Sequence, residues 1–175
     1  MTISVPLQTS RLVIRRFIPP DLPAYLDFML DPESTRYLAF SEEQKTEKGA
    51  TDLFDFVISA YDSENIIPAY VIALADSNEY IGSCGFSPYE PQVVECYYSI
   101  NSPYRRRGYA LEAMTALFDA LRSSGEIDEI RAYCHEDNIA SLNLAKKLGM
   151  DDRGIATHAH SGLTGRVYIA SLNSL

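Results

Sequence analysis

Three consecutive arginines followed by a glycine form the part of the sequence best suited to binding an anion. The segment Arg105 to Ala110 reads R-R-R-G-Y-A and precedes a run with helical periodicity. The first N–H groups of a helix lack intrahelical partners and the helix dipole is positive there, so a bound phosphate is stabilised. Gly108 allows close backbone approach, and the arginines add charge-assisted donors. The segment predicts a phosphate-binding turn, with a solvated basic turn as the alternative.

A carboxylate and two histidines are the next candidates for chemistry. Glu95 lies in the strand-like run from Val93 to Ile100, whose alternation puts it on one face with Tyr97 and Ser99. A carboxylate in the middle of such a run indicates either a catalytic group or a solvent-facing strand residue. His158 and His160 share a face of a late predicted strand, where they could line a substrate site or simply lie on the surface.

The three cysteines favour neither a disulfide framework nor a metal site. Cys84, Cys96 and Cys134 are odd in number, widely spaced and without a C-x-x-C pair, which is typical of buried reduced thiols. Cys134 and His135 are neighbours on a strand and therefore point to opposite faces, so they cannot form a nucleophile and base pair. We expect no metal.

Length and composition limit the classes of protein that the chain can belong to. With 175 residues, 46% of them hydrophobic, it can bury one substantial core, so we expect a single domain over residues 1–175. Without an apolar run of membrane-spanning length or a signal-peptide pattern in Met1 to Ser10, we expect a cytoplasmic protein that does not bind membranes. The net charge of −9 argues against nucleic-acid binding and mildly favours a cationic partner.

Alternating strands and helices must position these residues. Strands are predicted at Arg11 to Phe17, Ala69 to Ala75, Tyr80 to Phe86, Val93 to Ile100, Ile130 to Cys134, Asp152 to Ala159 and Arg166 to Leu172. A first helix is predicted to have Asp21 as its candidate N-cap and to be closed by Pro32. Further helices are predicted to cover Ala50 to Tyr61, Ala110 to Leu121 and Ile139 to Leu148. The order β-α-α-β-β-β-α-β-α-β-β predicts a mixed α+β fold with about seven strands flanked by helices. A helical crossover after Val93 to Ile100 predicts parallel pairing with Ile130 to Cys134.

This order, with R-R-R-G-Y-A at the start of a central helix, resembles the GNAT superfamily of acyl-CoA N-acyltransferases. The GNAT signature is Q/R-x-x-G-x-G/A, which Arg105, Gly108 and Ala110 match. The segments S-R-L-V-I-R-R-F, Y-I-G-S-C-G-F, P-Y-R-R-R-G-Y-A-L-E-A and D-N-I-A-S-L-N-L-A-K-K-L-G-M are similar to the RimJ/RimL branch, which acetylates ribosomal-protein amino termini and other amines. The resemblance extends from about Thr9 to Leu172.

The resemblance implies where acetyl-CoA would bind. In this family the fourth and fifth strands splay apart, and the edge of the strand near Ile100 pairs with the pantetheine arm. The backbone N–H groups of the arginine turn would hold the pyrophosphate, and Asn138 would contact the pantetheine or the amine. The expected coenzyme-binding residues are Ile100, Arg105, Arg106, Arg107, Gly108, Tyr109, Ala110, Asn138 and Ser141.

The acetyl group could pass to the amine directly or through a covalent cysteine. Because neither Cys134 nor Cys96 has a suitably placed base close to it in the sequence, we expect direct transfer. Glu95 is the candidate base or ammonium anchor. Many family members carry a tyrosine as acid where this chain has Ala145, so the role of acid moves to Ser141, although Ser141 could be only a first-turn helix residue. A family glutamate near Lys146 is also absent.

Three acceptors remain open: a protein amino terminus, a polyamine and a small cationic amine. The missing tyrosine leaves a non-catalytic acyl-CoA-binding or sensing domain as the alternative function. The sequence leaves open whether the chain is a monomer or a homodimer, and whether the loop from Ala39 to Gly49 orders on substrate binding.

Overall fold

An eight-stranded mixed sheet carries the fold. A computed structural model describes residues 2–64 and 66–172; residues 1, 65 and 173–175 of the expected domain 1–175 lie outside the described residues. The strands are β1 Leu7–Gln8, β2 Leu12–Arg15, β3 Ala69–Leu74, β4 Tyr80–Glu90, β5 Val93–Ile100, β6 Glu129–Cys134, β7 Asp151–Thr157 and β8 Thr164–Ser171. The helices are α1 Leu22–Met29, α2 Pro32–Thr35, α3 Glu47–Ala60, α4 Tyr109–Ser124 and α5 Ile139–Lys147.

The strand order is β1-β2-β3-β4-β5-β6-β8-β7, and each neighbouring pair is antiparallel except β5 and β6. The predicted parallel crossover through α4 is therefore confirmed, as is the mixed α+β class. The additional strand β1 pairs with Val13 and Ile14 of β2. Two residues are too few to show an alternating pattern, so the sequence did not predict this strand.

The first helical region begins at the predicted N-cap but ends differently. Asp21 is the N-cap residue of α1, although its side chain makes no capping hydrogen bond to that helix. Its carboxylate accepts hydrogen bonds from the Arg15 guanidinium at 2.8 and 2.9 Å and from the Ile18 N–H at 2.9 Å. Pro32 does not close α1, because that helix ends at Met29; Pro32 instead opens α2, where Asp31 is the N-cap. A proline at a first helical position needs no N–H partner, so the sequence allowed Pro32 to begin a helix as well as to follow the end of one.

The two faces of the sheet bury separate apolar clusters. One cluster packs α4 and α5 against the sheet and includes Val94, Met114 and Leu144. The other packs α1 and α3 against the opposite face and includes Phe17 and Phe54. Strand β5 therefore presents one set of alternating side chains to each side, as its sequence pattern predicted.

Strands β5 and β6 pair along only part of their length. Val93, Val94 and Glu95 pair with Glu129, Ile130 and Arg131, and within the described part of the chain no β-ladder continues on that side of Cys96 to Ile100. This is the expected splay, between strands that are the fourth and fifth when β1 is not counted. The backbone of β5 beyond Glu95 is left open for a ligand.

No helix in the described ranges is both long enough and apolar enough to cross a membrane.

Candidate active site

The arginine turn has the backbone shape of an anion cradle. Arg106 has φ 62° and Gly108 has φ 82°, both in the left-handed region, and Gly108 is the N-cap of α4. Left-handed backbone is uncommon for a residue with a side chain, and alternating conformations of this kind turn successive N–H groups toward one point. The N–H groups of Arg106, Arg107 and Gly108 make no hydrogen bond within residues 2–64 and 66–172. They are available to an anion at the positive end of a 16-residue helix.

The three arginine side chains have different surroundings. The Arg105 guanidinium donates to the Ile100 carbonyl at 2.9 Å and to the Ser34 hydroxyl at 2.7 Å, so it fixes the end of β5. Arg107 is exposed, with its guanidinium carbon 5.9 Å from the centre of the Tyr104 ring. The backbone of the turn is thus better defined than its positive side chains.

An arginine that the sequence analysis did not assign to the site supports this turn. Arg11 donates to the Arg107 carbonyl at 3.0 Å and lies 4.7 Å from the centre of the Tyr109 ring. It is held in turn by Glu112, which accepts from the Arg11 side chain at 2.7 and 2.6 Å and from the Arg11 backbone N–H at 2.9 Å. The signal was present, because Arg11 belongs to the S-R-L-V-I-R-R-F segment and Glu112 to the first turn of α4.

A cavity of about 580 Å³ begins at the splay and crosses to the other face of β5. At the splay it is lined by Cys96 and Tyr98 of β5, Cys134 of β6 and Ser141 of α5. It continues past Glu95 and the rings of the opposite face to side chains of α1 and α3. The loop after α2 also lines it, through Tyr37, Leu38, Ala39 and Phe40. The cavity therefore joins the open edge of β5 to a second compartment, which lies between β5, α1 and α3.

Glu95 lines this cavity and is paired. Its carboxylate Oε2 is 2.7 Å from Nε2 of His158, and the Glu95 and His158 side chains are 26% and 11% exposed. The sequence offered a solvent-facing strand residue as the alternative for Glu95. The geometry instead gives a partly buried carboxylate with a hydrogen-bonded imidazole.

The turn that holds His158 determines which of its nitrogens carries a proton. Its Nδ1 accepts hydrogen bonds from the N–H groups of Ser161 at 2.9 Å and His160 at 3.3 Å, so Nε2 must be the donor to Glu95. Strand β7 ends at Thr157, earlier than predicted, and His158 and His160 therefore lie in the turn rather than on a strand face. His158 is fixed further by the edge-on Tyr133 ring, with the ring centres 4.6 Å apart.

Ser141 lines the cavity from α5 and pairs with a tyrosine. The hydroxyls of Ser141 and Tyr98 are 2.9 Å apart, and burial raises the pKa of Tyr98 to about 12. Ala145, where the family tyrosine was expected, is buried one turn further along α5. A tyrosine hydroxyl thus reaches the splay from β5 rather than from α5, which the sequence analysis did not foresee.

Asn138 is the N-cap of α5, and its Oδ1 accepts from the Ser141 N–H at 3.2 Å. This bond fixes the first turn of α5 and hence the position of the Ser141 hydroxyl. Asn138 and Ser141 both line the cavity, while Ile100 ends β5 beyond the last residue paired with β6.

The cysteines near the splay are protonated thiols. Burial raises the pKa of Cys134 to about 11 and that of Cys96 well above its usual value. A thiolate is the nucleophilic form, so neither side chain is activated. Within residues 2–64 and 66–172, no group of three or more His, Cys, Asp or Glu side chains could hold a metal ion.

An anion cradle at a helix N-terminus beside a parted parallel strand pair is the arrangement that the resemblance to the GNAT superfamily implied. The family model described as "Acetyltransferase (GNAT) domain" matches residues 11–151, and the chain belongs to this family. It is therefore an acyltransferase of the family whose members use acetyl-CoA.

Two curated relatives carry the description "uncharacterized N-acetyltransferase". YjdG of Bacillus subtilis is 32% identical over 83 residues, which are 46% of this chain and 49% of that protein. The p20 protein of Bacillus licheniformis is 25% identical over 151 residues, which are 85% of this chain and 84% of that protein. The chain thus spans about half of the first relative and most of the second.

Solved structures share the fold. A GNAT-family acetyltransferase from Bacillus anthracis has a TM-score of 0.80 at 21% identity, with 95% of this chain and 98% of that chain covered. The ribosomal L7/L12 alpha-N-protein acetyltransferase RimL, solved in complex with coenzyme A, has a TM-score of 0.77 at 16% identity and covers 96% of this chain and 98% of its own. The sheet and helices described above are thus shared with these solved acetyltransferases, and nothing in these comparisons favours the non-catalytic alternative.

Proposed function

We propose that this chain, acting as a single domain, transfers the acetyl group of acetyl-CoA directly to a primary amine. The observation that carries the proposal is the cavity at the splay, which is lined by both Glu95 and Ser141. Direct transfer needs a neutral amine, a polarised thioester carbonyl and a proton for the leaving thiolate. Glu95 can accept the proton of the amine, and the Ser141 hydroxyl can donate a proton to the thiolate.

The arginine turn and the open strand edge fit a coenzyme A molecule. The N–H groups of Arg106, Arg107 and Gly108, with Tyr109 and Ala110 at the first turn of α4, would bind the pyrophosphate. Bound acetyl-CoA supplies an activated acetyl thioester. The unpaired edge from Cys96 to Ile100 offers backbone groups to the pantetheine arm, and Arg105 holds that edge through the Ile100 carbonyl.

Glu95 accepts the proton that the amine loses. The His158 Nε2–H already donates to the carboxylate at 2.7 Å, which fixes the carboxylate and leaves its other oxygen for the amine. An amino terminus has an unperturbed pKa of about 8 and a lysine-like amine about 10, so a carboxylate also anchors the ammonium form before deprotonation. His158 acts through Glu95 and is a positioning residue.

Ser141 and Tyr98 form a hydroxyl pair in the same cavity. As the amine nitrogen bonds to the carbonyl carbon and the carbon–sulfur bond breaks, a hydroxyl proton donated toward sulfur stabilises the thiolate. Tyr98, with a pKa of about 12, stays protonated at neutral pH and would donate a hydrogen bond to the Ser141 hydroxyl. The final proton on sulfur balances the one that the amine loses. The Ser141–Tyr98 pair thus has the role that a tyrosine at the position of Ala145 has in many family members.

The test is an assay of free thiol with acetyl-CoA and a panel of amines, with the acetylated product identified by mass spectrometry. We expect thiol release with at least one amine, matched mole for mole by N-acetylated product. Initial rates with both substrates varied should give intersecting reciprocal plots, because both bind before reaction. Tight coenzyme A binding without turnover of any amine would contradict the proposal, and parallel plots would replace direct transfer by an acyl-enzyme route.

A further inference from the structure

The compartment beyond Glu95 differs chemically from what the acidic composition of the chain suggests. It is lined mainly by apolar and aromatic side chains of α1, α3, the segment that follows β2 and the loop after α2. They include Phe17, Tyr25, Phe28, Leu38, Phe40 and Leu53. Several of them belong to the apolar cluster between these helices and the sheet. The acceptor side of the cavity is therefore a gap in a hydrophobic core.

Charges in the cavity are few. Glu95 is the one carboxylate among its described lining residues, which include no lysine or arginine. The carboxylates that make the net charge −9 therefore lie elsewhere on the described chain. One positive charge finds a partner at Glu95, but a second or third ammonium deeper in the cavity would have none. An unpaired buried charge is costly, so the compartment disfavours polyamines.

Tyr97 forms an aromatic wall of the compartment. It is 40% exposed and lines the cavity from the same face of β5 as Glu95. The ring lies over Gly85, where an added Cβ would be 2.5 Å from the tyrosine hydroxyl and 2.7 Å from its ring carbon Cζ. Gly85 thus leaves room for an aromatic wall directly beside Glu95.

We propose that the acceptor is a primary amine with a single positive charge and a bulky apolar group a few bonds from the nitrogen. The amine binds at Glu95 and the apolar group enters the compartment between β5, α1 and α3. Burying a phenyl-sized group of this kind favours it over a methyl group by about 100-fold. The inference rests on the proposed acetyl transfer and narrows its acceptor. Arylalkylamines and peptides with an apolar first residue both have such an amine and apolar group.

The test compares acceptors that share the amine and differ in the tail. We expect kcat/KM for 2-phenylethylamine to exceed that for ethylamine by about 100-fold, with spermidine no better than ethylamine. Tripeptide amides beginning with Phe or Ser form a second arm. A preference for the Phe peptide over the Ser peptide supports the apolar tail, and equal rates for the two would count against it. A preference for the Phe peptide over 2-phenylethylamine then identifies a polypeptide acceptor, and the reverse identifies a small molecule. Equal rates for all tails, or a preference for spermidine, would overturn the inference while leaving acetyl transfer intact.

A substitution inside the compartment tests the location of the tail. Val57 lines the cavity from α3, whereas its neighbour Phe56 is 60% exposed and does not line it. Val57→Trp should reduce the ratio of phenylethylamine to ethylamine kcat/KM at least tenfold, and Phe56→Trp should leave the ratio unchanged. Coenzyme A affinity reports on folding. If Val57→Trp does not fold, Val57→Ala should shift preference toward a naphthyl tail, and an unchanged preference would count against the location.

Binding separates this inference from the proposed function. With coenzyme A present, calorimetry should show tighter binding of 2-phenylethylamine than of spermidine, whether or not either amine is acetylated. Tighter binding of spermidine would overturn the apolar acceptor. Absence of turnover with intact binding would instead overturn the proposed transfer.

Discussion

Replacement of Gly108 by valine should weaken coenzyme A binding more than removal of a neighbouring arginine side chain. Gly108 has φ 82°, where a side chain costs about 1–2 kcal/mol, and an added Cβ would lie 3.4 Å from an Arg11 guanidinium nitrogen. The turn in Gly108→Val should therefore relax, and binding must restore its shape. Loss of one N–H bond to a phosphate costs about 1.5–3 kcal/mol, so affinity should fall about 10- to 100-fold.

Arg107→Ala provides the comparison. Arg107 is exposed and its contribution is that of a surface charge, about 1 kcal/mol or less, so affinity should fall about fivefold or less. Gly108→Ala should lie between the two. Calorimetric titration with coenzyme A at low and high salt measures both effects. Salt should diminish the Arg107 effect and leave most of the Gly108 effect, because screening acts on exposed charges. A greater loss for Arg107→Ala than for Gly108→Val would refute the backbone account.

Two further predictions concern the hydroxyl pair and the support of the turn. Tyr98→Phe should lower kcat about tenfold with little change in coenzyme A affinity, as should Ser141→Ala; full activity of Tyr98→Phe in a thiol-release assay would remove the relay. Partial burial raises the pKa of Glu112, but hydrogen bonds from Thr9 and Arg11 outweigh this and hold the pKa below its usual value. The Glu112 carboxylate therefore stabilises the fold at pH values above its unfolded-state pKa. This stabilisation is lost as the pH falls through the folded-state pKa. Glu112→Gln should lower the free energy of unfolding by about 1–3 kcal/mol at pH 7 and by less below about pH 4 in urea titrations. Exposed Glu126→Gln is the control, and a pH-independent difference would contradict the assignment.

The sequence predicted the fold well where local patterns are strong. Strand β5 has the predicted bounds, and α4 follows its 3.6-residue repeat up to the C-cap at Gly125. Short elements such as β1 and α2 were missed, because two and four residues cannot establish a period.

The sequence proposed members of the candidate site but not their pairings. Glu95 and Ser141 do line one cavity, but Glu95 pairs with a histidine 63 positions away and Ser141 with a tyrosine 43 positions away. Arg11 and Glu112 are 101 positions apart. Such contacts depend on how the sheet brings distant strands and turns together, and no spacing rule in a single sequence encodes them. The sequence did not indicate the apolar compartment for the same reason, since its side chains have the pattern of ordinary core residues.

The most direct test of direct transfer assisted by Glu95 is the rate of Glu95→Gln at saturating acetyl-CoA, measured from pH 6 to 9 beside coenzyme A affinity. The amide keeps the size of the side chain but cannot accept a proton. We predict a fall in kcat of about 100-fold with unchanged coenzyme A affinity. A Glu95→Gln enzyme as fast as the wild type at every pH would contradict the account.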